Sequence, residues 1–183
     1  GYNDAGGTDA GRAYIFFGGN TVNSGADVIF TGETALDIFG YSVSSAGDVN
    51  GDGYSDIIAG AYLNDAGGFN AGKVYVYFGG SSMNNAADLI LTGKAPGDFF
   101  GNSVSSSGDV NADGFSDIIA GAPFNDAGGN DAGRAYVYFG GNLMDSTADV
   151  ILTGASAGDQ FGLSVSSAED VNNDGYCDII AGA

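Results

Sequence analysis

The chain has 183 residues, a length suited to one domain, and a formal net charge of −19 from 4 basic and 23 acidic residues. That acidity excludes nucleic acid and anionic membrane as partners. The absence of histidine excludes Ser-His-Asp triads, Cys-His pairs and His-ligated zinc or iron.

Glycine is abundant at 34 residues against two prolines, while 10 Tyr and 12 Phe remain to build a core. This composition predicts an all-β chain of short strands and tight turns rather than disorder. Gly1 opens directly in loop-like sequence, as a processed or engineered segment does, and no secretory leader is visible. Asn3-Asp4-Ala5-Gly6-Gly7 reads as an Asx turn. The first expected strand, Arg12–Phe17, has aromatic and β-branched residues on both faces, as in a strand buried on both sides. A turn at Gly18–Ala26 leads to a second strand, Asp27–Thr31. The third, Phe39–Ser45, alternates bulky with small residues, and the fourth, Asp56–Ala61, is apolar after its first residue. No amphipathic helix of useful length is visible, and no run approaches the roughly 20 apolar residues of a membrane span.

Between the third and fourth strands lies Asp48-Val49-Asn50-Gly51-Asp52-Gly53-Tyr54-Ser55-Asp56. Side-chain oxygens fall at loop positions 1, 3, 5 and 9, and Gly53 permits a sharp turn at position 6. Alternate residues of such a loop can point at one hard cation, with the backbone carbonyl of Tyr54 as a further ligand. Ala59 stands where an EF-hand has its bidentate Glu, so this is no EF-hand. One match would be weak, because Asp, Asn and Gly also make ordinary Asx turns. The pattern returns twice: Asp109, Asn111, Asp113, Gly114, Phe115 and Asp117, then Asp170, Asn172, Asp174, Gly175, Tyr176 and Asp178. Three Ca²⁺ per chain are therefore expected, and they would bring the net charge to −13. Cys177, the sole cysteine, precludes an internal disulfide and zinc–thiolate sites; it replaces Ser55 and Ser116 as a tolerated small residue.

The loops are part of a 61-residue unit written three times. Gly11–Gly19 matches Gly72–Gly80 and Gly133–Gly141, and Asp56–Ala61 recurs unchanged at Asp117–Ala122 and Asp178–Ala183. Four short strands per repeat describe an antiparallel β-propeller blade. The third strand carries the smallest side chains and is expected innermost. Phe39-Gly40, then Asp48–Asp56 and Gly60-Ala61, with Gly121-Ala122-Pro123 in the second copy, resembles the FG-GAP repeat of integrin α-subunit propellers. The same repeat occurs in bacterial surface and secreted proteins. The resemblance covers the whole chain and implies an innermost Phe-Gly strand, Ca²⁺ in the hairpin between the first two strands, and partner binding on the opposite face. It also implies an extracellular or cell-surface location. The first copy departs from it with Tyr62 in place of the proline, the third ends at Ala183, and there are only three repeats.

In a four-stranded meander the loops alternate between two ends, so the metal loops share a face with the Gly18–Ala26 turn. The opposite face then carries Glu33, Asp37, Asn64, Asp65, Asp98, Asp126, Asp131 and Asp159, available to a protein or glycan partner. Asp27, Asp88 and Asp149 are expected to bond at strand starts, and the Tyr14/Phe16, Tyr75/Tyr77 and Tyr136/Tyr138 stripes to pack between blades. The expected function is a calcium-binding structural or recognition module of the adhesion type, without catalysis; a carbohydrate-binding propeller is the alternative, and a carboxylate-pair hydrolase is disfavoured because nine aspartates serve as cation ligands. By organisation, 1–38 is an outer half-blade, 39–93 and 100–154 are blades, and 161–183 is an inner half-blade. The halves are complementary, so a homodimer of six blades is expected.

Overall fold

The computed structural model describes residues 2–21 and 24–183. Val22 and Asn23, within the turn expected at Gly18–Ala26, lie outside the described residues, as does Gly1. Twelve strands and no helix occur among the described residues. They are β1 (Arg12–Ile15), β2 (Val28–Thr31), β3 (Ser42–Gly47), β4 (Asp56–Ala61), β5 (Lys73–Tyr77), β6 (Leu89–Thr92), β7 (Ser103–Gly108), β8 (Asp117–Ala122), β9 (Arg134–Tyr138), β10 (Val150–Thr153), β11 (Ser164–Glu169) and β12 (Asp178–Gly182). β3–β6 and β7–β10 form two four-stranded antiparallel sheets, each strand beside its sequence neighbour, and β1–β2 and β11–β12 form two-stranded sheets. The four-stranded sheets are β-propeller blades.

β7 packs against both β3 and β11, and the three form the inner layer. Their serines link the blades: Ser42 Oγ donates to the Gly101 carbonyl at 2.7 Å, and Ser103 Oγ to that of Gly162 at 2.8 Å. The glycine of each Gly-Ala pair allows this approach, since a Cβ on Gly60 or Gly121 would overlap the carbonyl oxygen of Gly101 or Gly162. Gly121→Ala is accordingly expected to cost about 2–4 kcal/mol in urea unfolding. Gly182→Ala, whose Cβ would first meet the rotatable Ser164 Oγ, should cost markedly less. Equal losses would contradict this account.

The core lies between blades. The ring of Phe30 sits 4.0 Å from that of Tyr77, and Phe39 meets Tyr75 edge-on at 5.3 Å. Phe100 repeats the edge contact with Tyr136 at 5.5 Å. The Tyr75/Tyr77 and Tyr136/Tyr138 stripes thus do pack between blades, each buried side chain contributing roughly 1.5–3 kcal/mol, whereas the Tyr14/Phe16 stripe is exposed. Burial on both sides holds for β5 and β9 but not for β1: Tyr14 is 46% exposed against 2% for Tyr75, because β1 has no inner neighbour.

Strand limits differ from expectation in three of the four strands, the second beginning at Val28 rather than Asp27. The first strand stops at Ile15, since the Phe17 N–H donates to Asp27 at 2.7 Å and turns the chain; Asp88 and Asp149 do the same for Phe78 and Phe139. The third strand begins at Ser42, not Phe39, because Gly40 has φ +75°. It then runs past Ser45 through a bulge to Gly47, also at φ +75°. A Cβ on Gly47 would overlap Ser116 of the next blade, and one on Gly108 would lie 2.6 Å from Cys177 Sγ. The third repeat places Glu169 at this position with φ +57°.

Candidate metal centres and the opposite face

The bulge that ends β3 delivers the chain into the loop at Asp48. Asp48 organises that loop: its Oδ1 accepts from the N–H of Gly51 at 2.7 Å and of Asp52 at 3.1 Å, and its Oδ2 from Gly53 at 2.9 Å. Asn50 Oδ1 accepts from Asp52 N–H, Asp52 Oδ1 from Tyr54 N–H, and Asp52 Oδ2 from Asn50 Nδ2 at 3.0 Å. Gly53 has φ +87°, with Gly114 at +90° and Gly175 at +93°, a region glycine enters without strain.

The second and third loops are built alike. Asp109 accepts from Asp113 and Gly114, and Asp170 from Asp174 and Gly175. Asn111 Oδ1 accepts from Asp113 N–H, and Phe115 and Tyr176 donate to Asp113 and Asp174. Asn172 lies exposed on the third loop. Successive loops touch, for the Ser116 N–H donates to the Asp48 carbonyl at 2.9 Å and that of Cys177 to Asp109 at 3.0 Å. Phe115 lies against Gly51 of the preceding loop.

Asp56 and Asp117 are the buried members, both 0% exposed. Asp56 accepts from Val49 N–H at 2.8 Å and, across to the next turn, from Gly79 N–H at 2.7 Å. Asp117 does the same with Val110 and Gly140. Burial pushes both carboxyls up, opposed by these N–H bonds, while the other two aspartates of each loop push them further up. Asp178 holds Val171 at 2.9 Å.

The side-chain donor set at loop positions 1, 3, 5 and 9 is all oxygen, which suits a hard dication. In the geometry shown these oxygens are turned to backbone N–H groups, and among the described residues no three acidic or thiol side chains converge on one point. Apart from Asp48 Oδ1, which accepts twice, these carboxylate oxygens keep a second lone pair, so an N–H bond does not preclude metal ligation. The residues therefore fit Ca²⁺ in chemistry, whereas the loop as shown is closed around its own amides.

Two segments, residues 39–77 and 100–138, match the FG-GAP repeat family. This is an integrin α-like FG-GAP module. Integrin alpha-5 of Xenopus laevis is 40% identical over 188 residues, covering 94% of this chain and 17% of that protein. Integrin alpha-8 of Gallus gallus is 37% identical over 84% of the chain and 15% of its own length. Integrin alpha-PS5 of Drosophila melanogaster is 32% identical over 96% and 18% respectively. The FG-GAP module thus spans under a fifth of these curated relatives. No helix among the described residues is long and apolar enough to cross a membrane.

The face opposite the metal loops differs from the sequence expectation. Asp37, Asn64 and Asp98 are buried rather than offered to a partner. Asn64 Nδ2 donates to Asp37 at 2.6 Å, and Asn125 Nδ2 to Asp98 at 2.6 Å, each pair joining segments 27 residues apart. Asn64 and Asn125 close the Asx turns by accepting from Ala66 and Ala127, and Asp65 and Asp126 accept from Asn70 and Asp131 five residues on. Asp131 and Asp159 are half-buried beside these turns, and Ser156 N–H donates to Asp159.

Burial raises the Asp37 carboxyl, and Glu33 adds to this; the Asn64 bond, Lys73 and Thr34 oppose it. With its folded pKa above the unfolded value, Asp37 is more costly ionised than protonated. Its contribution is least favourable at pH 7 and improves as the pH falls through the folded value. Asp37→Asn keeps an acceptor for Asn64 and removes the charge. It is expected to raise the melting temperature at pH 7, with the difference from wild type shrinking as the pH falls towards 4. A variant less stable than wild type at pH 7 would contradict this.

Proposed function

We propose that the FG-GAP module is a calcium-binding propeller segment of extracellular, adhesion-type recognition, binding three Ca²⁺ per chain. Asp48, Asn50, Asp52, Asp56 and the Tyr54 carbonyl would hold the first, with the equivalent residues of the other two loops holding the others. The observation that carries this is the threefold all-oxygen loop, curled each time around its first aspartate in a chain of net charge −19. A dication there would offset the repulsion of three carboxylates confined to one hairpin. Recognition rather than catalysis is supported by the lack of histidine and by the engagement of the buried carboxylates with amides. Melting curves in Ca²⁺ and in EDTA test the proposal.

The integrin relatives support an adhesion-type recognition role, and we place partner binding on the face opposite these loops. We further infer that a second copy of the chain pairs with the free edges of β1 and β12, closing a six-bladed ring.

A further inference from the structure

We propose that the cleft between the two whole blades, on the face opposite the metal loops, receives a single carboxylate side chain from a partner protein; this rests on that face being the partner face. The cleft has a volume of about 290 Å³, and Lys94, Asp98, Phe100, Asn125, Arg134 and Tyr136 are among its walls.

The chain holds its own template for the occupant. One interface earlier, Lys73 Nζ lies 3.2 Å from Glu33 Oε2, and the Tyr75 hydroxyl donates to the same oxygen at 3.1 Å. Sixty-one residues on, Arg134 and Tyr136 stand where Lys73 and Tyr75 stand, while Lys94 replaces Glu33. The cation and the hydroxyl are kept and the carboxylate is gone. Among the described residues the Glu33–Lys73 pair is the one salt bridge, so neither Lys94 nor Arg134 has an acidic partner within ion-pair distance. Arg134 Nε donates to Thr153 at 3.1 Å and the guanidinium also bonds the Tyr136 hydroxyl, so the rest of its five N–H groups remain for a ligand.

Charge points the same way. The earlier cleft sets Glu33 and Asp37 against Lys73. This one sets Lys94 and Arg134, two of the chain's 4 basic residues, against Asp98. One added carboxylate would make it neutral. Burial pushes the Asp98 carboxyl up and Asp126, outside the cleft lining, adds to it, while the chain as a whole is strongly acidic, so a second acid is disfavoured. The occupant is therefore one Asp or Glu flanked by neutral residues, not an acidic run. The volume, near the lower end of the roughly 300–1,000 Å³ of small-molecule clefts, favours a side chain over a sugar chain.

The test titrates the full chain, in about 10 mM Ca²⁺, with a neutral peptide carrying one Glu, with its Gln counterpart, and with a glucuronate oligosaccharide. Saturable binding of the Glu peptide alone is expected. Lys94→Glu, which rebuilds the Glu33–Lys73 arrangement, should weaken it by about tenfold or more without lowering the melting temperature. Glu33→Lys should open the first cleft and raise the stoichiometry from one peptide to two. No binding of the Glu peptide, equal binding of the Gln peptide, full binding by Lys94→Glu, or preference for the glucuronate would each overturn the proposal. Calcium dependence is read from melting and cleft occupancy from the titration, so either can fail alone.

Discussion

Chelation with EDTA is expected to lower the melting temperature of the FG-GAP module by about 10 °C or more, and added Ca²⁺ to restore it. Loops of this kind in extracellular modules bind at about 10⁻⁴–10⁻³ M. At about 10 mM Ca²⁺ each site then adds about 1.4–2.7 kcal/mol to the folded state, which binds the ion while the unfolded chain does not. Three sites in one cooperative unit give roughly 4–8 kcal/mol, and about 2–4 °C accompanies each kcal/mol at this chain length. Two variants separate the ion's contribution from that of the loop. Asp52 is exposed and bonds locally, so Asp52→Ala should lose stability in Ca²⁺ and little in EDTA. Asp56 is buried and receives the Val49 and Gly79 N–H groups, so Asp56→Ala should lose stability in both. Identical melting curves with and without the ion would end the calcium proposal.

The repeat made most of the fold legible before any coordinates. Asp56–Ala61 and Asp117–Ala122 lie where the apolar run placed them and β12 ends one residue short of it, because the same six-residue run, apolar after its first residue, reads as the same strand in each copy. The start of the third strand was less legible. Phe39-Gly40 continues an alternation that sequence cannot distinguish from a strand, yet Gly40 takes a positive φ so that Phe39 can turn onto Tyr75 of the following strand pair. The opposite face was misread for a reason of distance. Asp37 and Asn64 look like loop surface until the blades bring them within 2.6 Å of one another. The Glu33-to-Lys94 exchange was written in the sequence, but its meaning depends on Lys73 and Arg134, 40 residues further along in each case.

Light scattering on the purified 183-residue chain is expected to give about 36 kDa, twice the 18.2 kDa chain mass. The free edges supply the reason. β12 carries the Asp-Ile-Ile-Ala-Gly sequence that in β8 pairs with β9, with Ile119 opposite Val137 and Ala120 opposite Tyr136. Carried over to β1 of a second copy, that register sets Ile180 opposite Ile15 and Ala181 opposite Tyr14. In the single chain Ile180 is 59% exposed, whereas Ile58 and Ile119, its equivalents, are 0% exposed. Pairing at both edges completes two blades, giving six in all, within the usual range of about four to eight. One residue opposes a tight fit. Glu169 occupies the bulge position where Gly47 and Gly108 approach Ser116 and Cys177 of the following blade, so in the ring it would face Ser55 of the second copy. Glu169→Gly should therefore strengthen the dimer, and Ile180→Lys, which puts a charge on the paired edge, should leave 18.2 kDa monomers with an intact strand signature. A folded wild-type monomer at micromolar concentration, or an Ile180→Lys variant that still dimerises, would rule out closure through these edges.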